Sequence, residues 1–101
     1  MILLVCFDLP RDNIVNRRSA NRYRKKLLEL GFSMKQWSLY EREIKNNNTA
    51  NKIIGILRQQ IPDTGSITVY QLPDYVNDNQ ITILGEYSIK KTYRKPRVVV
   101  I

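Results

Sequence analysis

A single carboxylate, Asp8, stands near the end of the apolar run ILLVCFDLP (residues 2–10), in a chain whose 17 Lys and Arg outnumber its 9 Asp and Glu. Burying an ionised acid is costly unless something compensates it. One role for Asp8 is structural, capping the next helix or accepting hydrogen bonds from the LPRDN turn. The other is chemical. In a two-fold dimer Asp8 can approach its own copy, and two facing carboxylates need a proton or a cation between them. Magnesium suits carboxylate oxygens and water, and can polarise a phosphate or activate that water. The remaining inventory narrows the chemistry. There is no histidine, which excludes Ser-His-Asp and Cys-His nucleophiles, histidine acid-base chemistry and histidine metal sites. The lone Cys6 cannot form an intramolecular disulfide and reads as a core residue. Four scattered glycines make no phosphate-cradling loop.

The second set of chemically able residues is basic. A formal charge of +8 points to a polyanionic partner, with nucleic acid the default. On a helix expected from Asp12 or Asn13 to Leu30, the residues Ala20, Tyr23, Leu27 and Leu30 form an apolar stripe, with Leu28 beside them. Arg18, Arg22 and Lys25 point the opposite way. Lys26 widens this basic face, Arg17 and Arg24 flank the apolar stripe, and the later segment KKTYRKPR adds Lys90, Lys91 and Arg94. Contacts of this type hold phosphates without reading bases. Trp37 and Tyr40 either stack on bases or fill the core or a dimer interface, the second being the simpler reading for Trp37. Gln36 and Ser38 can satisfy backbone groups at a bend or orient a site near Asp8.

The elements that must position these residues read in order. Residues 2–9 alternate Ile2, Leu4, Cys6 and Asp8 with Leu3, Val5, Phe7 and Leu9, an apolar pattern on both faces that predicts a strand buried on both sides. The first helix follows, with Gly31 as its stop. FSMKQWSLYEREI is a strand or two strands joined by a tight bend. A second helix is expected from a cap at Asn48 or Thr49 to Pro62, with Ala50, Ile53, Ile54, Leu57 and Ile61 inward and Gly55 outward. PDTG is a turn, SITVYQL a strand, PDYVNDN a loop or short turn, QITILGE a short strand, and VVVI a terminal strand after the basic spacer.

This order predicts an α+β, ferredoxin-like βαββαβ domain spanning residues 1–101, with residues 88–101 a basic extension ending in a strand. Two helices cover one face of the sheet, so a second copy is expected on the other, giving a homodimer with facing sheets. VVVI can add to a sheet edge in the same chain or in its partner. No apolar run is long enough to span a membrane, no signal segment precedes the first strand, and one cysteine suits a reducing cytoplasm.

The segments LVCFDLP, the pair Arg17–Arg18, RYRKKLLELGF and QWSLY, in that order, resemble the CRISPR-associated protein two family, in its type II-like form. The resemblance implies a ferredoxin-like homodimer in which the two Asp8 carboxylates approach each other and bind Mg2+. It implies a role in CRISPR adaptation, with the dimer bridging copies of the CRISPR integrase while duplex DNA lies across it. It also implies metal-dependent endoribonuclease or deoxyribonuclease activity, with Asp8 as catalytic residue and metal ligand, and Arg17, Arg18 and Arg24 at the family's basic positions. A different class of function, a monomeric ferredoxin-like module binding single-stranded RNA without catalysis, uses the same basic helix.

Overall fold

The computed structural model describes residues 1–85. The elements run β1 (Ile2–Asp8), α1 (Ile14–Glu29), β2 (Ser33–Gln36), β3 (Leu39–Glu43), α2 (Asn47–Leu57), β4 (Ser66–Leu72) and the single-turn α3 (Asp74–Asp78). The basic segment with Lys90, Lys91 and Arg94, and the terminal VVVI, lie outside the described residues.

The strands form one antiparallel sheet in the order β2-β3-β1-β4. The central β1 pairs with β3 from Ile2↔Glu43 to Cys6↔Leu39, and with β4 from Ile2↔Leu72 to Asp8↔Ser66. This is the α+β arrangement expected from the sequence, with FSMKQWSLYEREI resolved into two strands. Their junction is irregular between Met34 and Gln36. Ser38 closes the bend by accepting the Phe7 N–H at 3.0 Å.

Both ends of α1 follow from local chemistry. The Asn13 side chain accepts the Asn16 N–H, leaving the helix to start at Ile14. At the other end Gly31 takes φ +87°, and two bonds, Gly31 N–H to Leu28 O and Phe32 N–H to Leu27 O, satisfy the last carbonyls. Leu27 and Phe32, joined by that cap, both enter the core. Leu3, Val5, Phe7 and Leu9 face the same core, together with Ala20, Tyr23, Tyr40, Ile44, Ala50, Ile53 and Leu57.

Several expectations need correction. Cap geometry puts the start of α2 at Asn46, whose side chain accepts the Thr49 N–H at 2.9 Å, ahead of Asn48 or Thr49. The helix ends at Leu57, short of Pro62, and Ile61 lies outside it, exposed rather than inward. Leu28, about 100° around the helix from the buried Leu27, is also exposed. PDYVNDN contains the turn of helix α3, and QITILGE makes no strand among the described residues, only an isolated bridge at Thr82.

The second face of β1 is buried unevenly. Ile2 is fully buried and Leu4 half-buried, but Cys6, expected in the core of a strand buried on both sides, is exposed, as is Asp8. The chain after β4 passes the Ile2 end, where the Met1 ammonium pairs with Asp74 at 2.6 Å, and reaches β2, where Lys35 donates to Gln80. Among the described residues none covers the Cys6–Asp8 end. Among the described residues no helix is long and apolar enough to cross a membrane.

Candidate nucleic-acid interface and carboxylate site

Asp8 is the last residue of β1, paired across to Ser66 at the start of β4 and exposed. Gly65 fixes this junction. At φ +103°, it packs so closely that an added Cβ would lie 2.5 Å from the Asp8 carbonyl oxygen and 3.0 Å from Leu9 Cδ2. Only glycine combines that φ with that approach. In the sequence, PDTG signals a turn but not this contact.

Asp8, Pro10, Asp12, Asn16, Thr64 and Gly65 line a shallow, open depression. Asp12 is held there by the Asn16 side-chain amide, which donates to its Oδ1 at 2.6 Å. That bond, with backbone N–H donors and nearby Arg17, keeps the Asp12 carboxyl below the usual carboxylate range. Asp8 and Asp12 both border this depression, and carboxylate oxygens are the donors that magnesium takes one or two at a time, keeping water on its remaining positions. Among the described residues no three His, Cys, Asp or Glu side chains gather into a denser site.

The basic residues divide into two groups. Arg18, Arg22 and Lys25 are exposed and fall within an arc of roughly 60° on α1, opposite the buried Leu27. Arg17 is exposed on one flank, donating to the Arg11 carbonyl at 3.3 Å, and Lys26 is half-buried on the other. Among the described residues none of these cations pairs with a carboxylate. Together they form a positive surface one helix wide.

Arg24 does not belong to that surface. It is 8% exposed, and its Nε donates to the Trp37 carbonyl at 3.3 Å. Its guanidinium lies 4.1 Å from the Trp37 ring centroid and 5.1 Å from that of Phe7, so it bridges the strand residue before Asp8 to the β2–β3 bend. Burial, with neighbouring Arg11 adding repulsion, lowers its proton affinity, but an arginine remains cationic. The sequence places Arg24 on the border of the apolar stripe, and packing against Phe7 and Trp37 settles that it turns inward. The two aromatics also part company. Tyr40 is core, stacked on Phe7 at 5.7 Å, whereas Trp37 is 58% exposed.

A family model, CRISPR associated protein Cas2, matches residues 1–80. The chain belongs to the Cas2 family. Cas2 relatives cover most of its length. A protein named CRISPR-associated endoribonuclease Cas2 from Flavobacterium psychrophilum is 40% identical over 72 residues, spanning 71% of this chain and 63% of that protein. Its namesake from Streptococcus mutans is 31% identical over 86 residues, spanning 85% of this chain and 79% of its own. The crystal structure of Streptococcus pyogenes Cas2 at pH 6.5 is similar in fold, with a TM-score of 0.59, 24% identity and coverage of 72% of this chain and 87% of that one. The Cas2 match takes in Asp8 and all of α1, and stops before Lys90, Lys91 and Arg94.

Proposed function

We propose that the protein is a dimeric, duplex-DNA-binding scaffold of CRISPR adaptation that holds the CRISPR integrase, with magnesium-dependent phosphodiester hydrolysis as an activity of the Asp8 site. The observation that carries the reading is the face of Arg18, Arg22 and Lys25, three exposed cations in line on one helix without carboxylate partners among the described residues. Such a face holds phosphates irrespective of base sequence, which suits a protein that must accept foreign DNA of any sequence.

The dimer rests on the exposed half of the sheet. Cys6 and Asp8 on β1 and Tyr70 on β4, the last 50% exposed, form a surface that a second copy covers isologously. Pairing through this face brings the two Asp8 positions toward the two-fold axis. Asp8 and Asp12 would hold the magnesium ion, which when bound supplies Lewis-acid polarisation of a phosphate and a more acidic water. The chain's own contribution is positional: Gly65 fixes the backbone of Asp8, and Asn16 fixes the carboxylate of Asp12.

The test is a pull-down of the neighbouring integrase with and without short duplex DNA, using wild type and a variant in which Arg18, Arg22 and Lys25 are replaced by alanine. Wild type is expected to capture integrase and DNA together, and the variant to lose the DNA. Absence of any wild-type complex overturns the scaffold reading. Asp8→Asn separates the enzyme claim: cleavage of RNA or DNA is expected to vanish while complex formation stays, and a wild type inactive across magnesium concentration and pH removes hydrolysis from the proposal.

A further inference from the structure

We propose that Trp37, backed by Arg24 and flanked by Arg11, is a stacking platform for an unpaired nucleobase of a bound nucleic acid, such as a single-stranded extension of a duplex. The inference rests on the nucleic-acid reading above and deepens it by naming the feature recognised.

Three observations converge on the β2–β3 bend. The chain's single tryptophan is 58% exposed there, although a ring of this size normally contributes to a core. The ring is held from behind. The Arg24 guanidinium lies 4.1 Å from its centroid and Arg24 Nε is bonded to the Trp37 carbonyl, so ring and backbone are fixed by one buried side chain. The site is also short of negative charge. Arg24 is more than nine-tenths buried, its Nη1 has no acceptor, and among the described residues neither Arg24 nor Arg11 pairs with a carboxylate.

A buried cation without a counter-ion is costly, and among the described residues two aromatic rings, the Trp37 carbonyl and the Tyr40 side chain offset it only in part. The structure tolerates that cost beneath an aromatic ring that it presents to solvent, more than half exposed. Arg11 lies 5.5 Å from the ring centroid, at the edge of contact, and is half-exposed with one Nη on the Asn21 side chain at 3.0 Å. It can turn to a ligand without leaving the rim.

An unpaired nucleotide offers what this site lacks: a flat π-face for the ring and a phosphate for the cations. An acidic peptide would answer the charge and leave the ring bare. Bases inside a duplex have both faces occupied, so the platform selects strand ends, extensions or single strands.

Because Trp37 is the only tryptophan, emission excited beyond the tyrosine absorption band reads this site alone. The experiment titrates the protein with a blunt duplex, the same duplex carrying a short unpaired extension on either strand, and a single strand. Tryptophan emission and the anisotropy of a labelled oligonucleotide are followed in parallel. Unpaired extensions are expected to quench Trp37 and to raise affinity over the blunt duplex by about tenfold, within the range set by stacking on one aromatic. Trp37→Ala is expected to erase that gain and keep blunt-duplex affinity, and Trp37→Phe to keep part of it.

Equal affinity for blunt and extended duplexes with unchanged emission overturns the platform and leaves the duplex reading intact. Failure to bind any oligonucleotide overturns both. Emission that follows protein concentration but not oligonucleotide makes Trp37 a subunit contact, and that too overturns the platform.

Discussion

Replacing Arg18, Arg22 and Lys25 together by alanine tests the basic face quantitatively. All three side chains are exposed, and alanine favours the helix, so α1 and its buried stripe of Ala20, Tyr23 and Leu27 are left intact. Each phosphate neutralised releases condensed counterions, and the slope of log affinity against log salt falls by about 0.9 per contact on duplex DNA. Three contacts in one protomer therefore account for a slope of about −2.7, or about a 40-fold loss of affinity between roughly 50 and 200 mM salt. If both protomers of a dimer engage, the exponent doubles. The assay is fluorescence anisotropy with a short labelled duplex over that salt range, on wild type and the triple variant, with thermal melting to confirm that both are folded. The variant is expected to show a slope shallower by about 2.7 for each engaged protomer and nearly unchanged affinity ratios between unrelated duplex sequences. A folded variant with the wild-type slope would refute the argument, because these cations would then release no counterions on binding.

Three further outcomes follow from packing and charge. Leu27→Ala removes a fully buried side chain from the centre of the core and is expected to cost about 2–5 kcal/mol in denaturant unfolding. Gly65→Ala forces a Cβ to 2.5 Å from the Asp8 carbonyl at a φ of +103°, so a loss of about 1–3 kcal/mol is expected, with hydrogen exchange faster at the ends of β1 and β4 while α1 is spared. The Asn16 amide holds the Asp12 carboxyl below the usual carboxylate range, so its stabilisation is present above that range and is lost as pH falls through the lower folded value. Asp12→Asn should therefore lower the melting temperature at neutral pH, and the gap should close in acid; a gap independent of pH would contradict the assignment.

Much of this architecture is legible along the chain because it depends on local or periodic signals. Asn13 and Gly31 bound α1, an apolar run on both faces marks β1, alternation marks β4, and the three- and four-residue spacing of Ala20, Tyr23, Leu27 and Leu30 identifies the core face. The limits of α2 are less legible. Asn46, Asn47, Asn48 and Thr49 are all competent caps, and only the bond from Thr49 N–H to the Asn46 side chain distinguishes one. The apolar Ile61 suggests that the helix continues toward Pro62, yet it is exposed beyond the helix end.

The candidate site divides in the same way. The sequence by itself determined that Asp8 ends an apolar strand, that Arg18, Arg22 and Lys25 share one helix face, and that no histidine is present to compete for the chemistry. Tertiary structure alone decided that the second face of β1 is exposed at Cys6 and Asp8, that Gly65 abuts the Asp8 carbonyl, and that Tyr40 is core while Trp37 is not. It also decided that Arg24, on the border of a helix stripe, turns inward beneath Trp37. The physical reason is common to all four. Periodicity reports which face a residue lies on, but its burial and partners depend on what the topology brings across from a distant part of the chain.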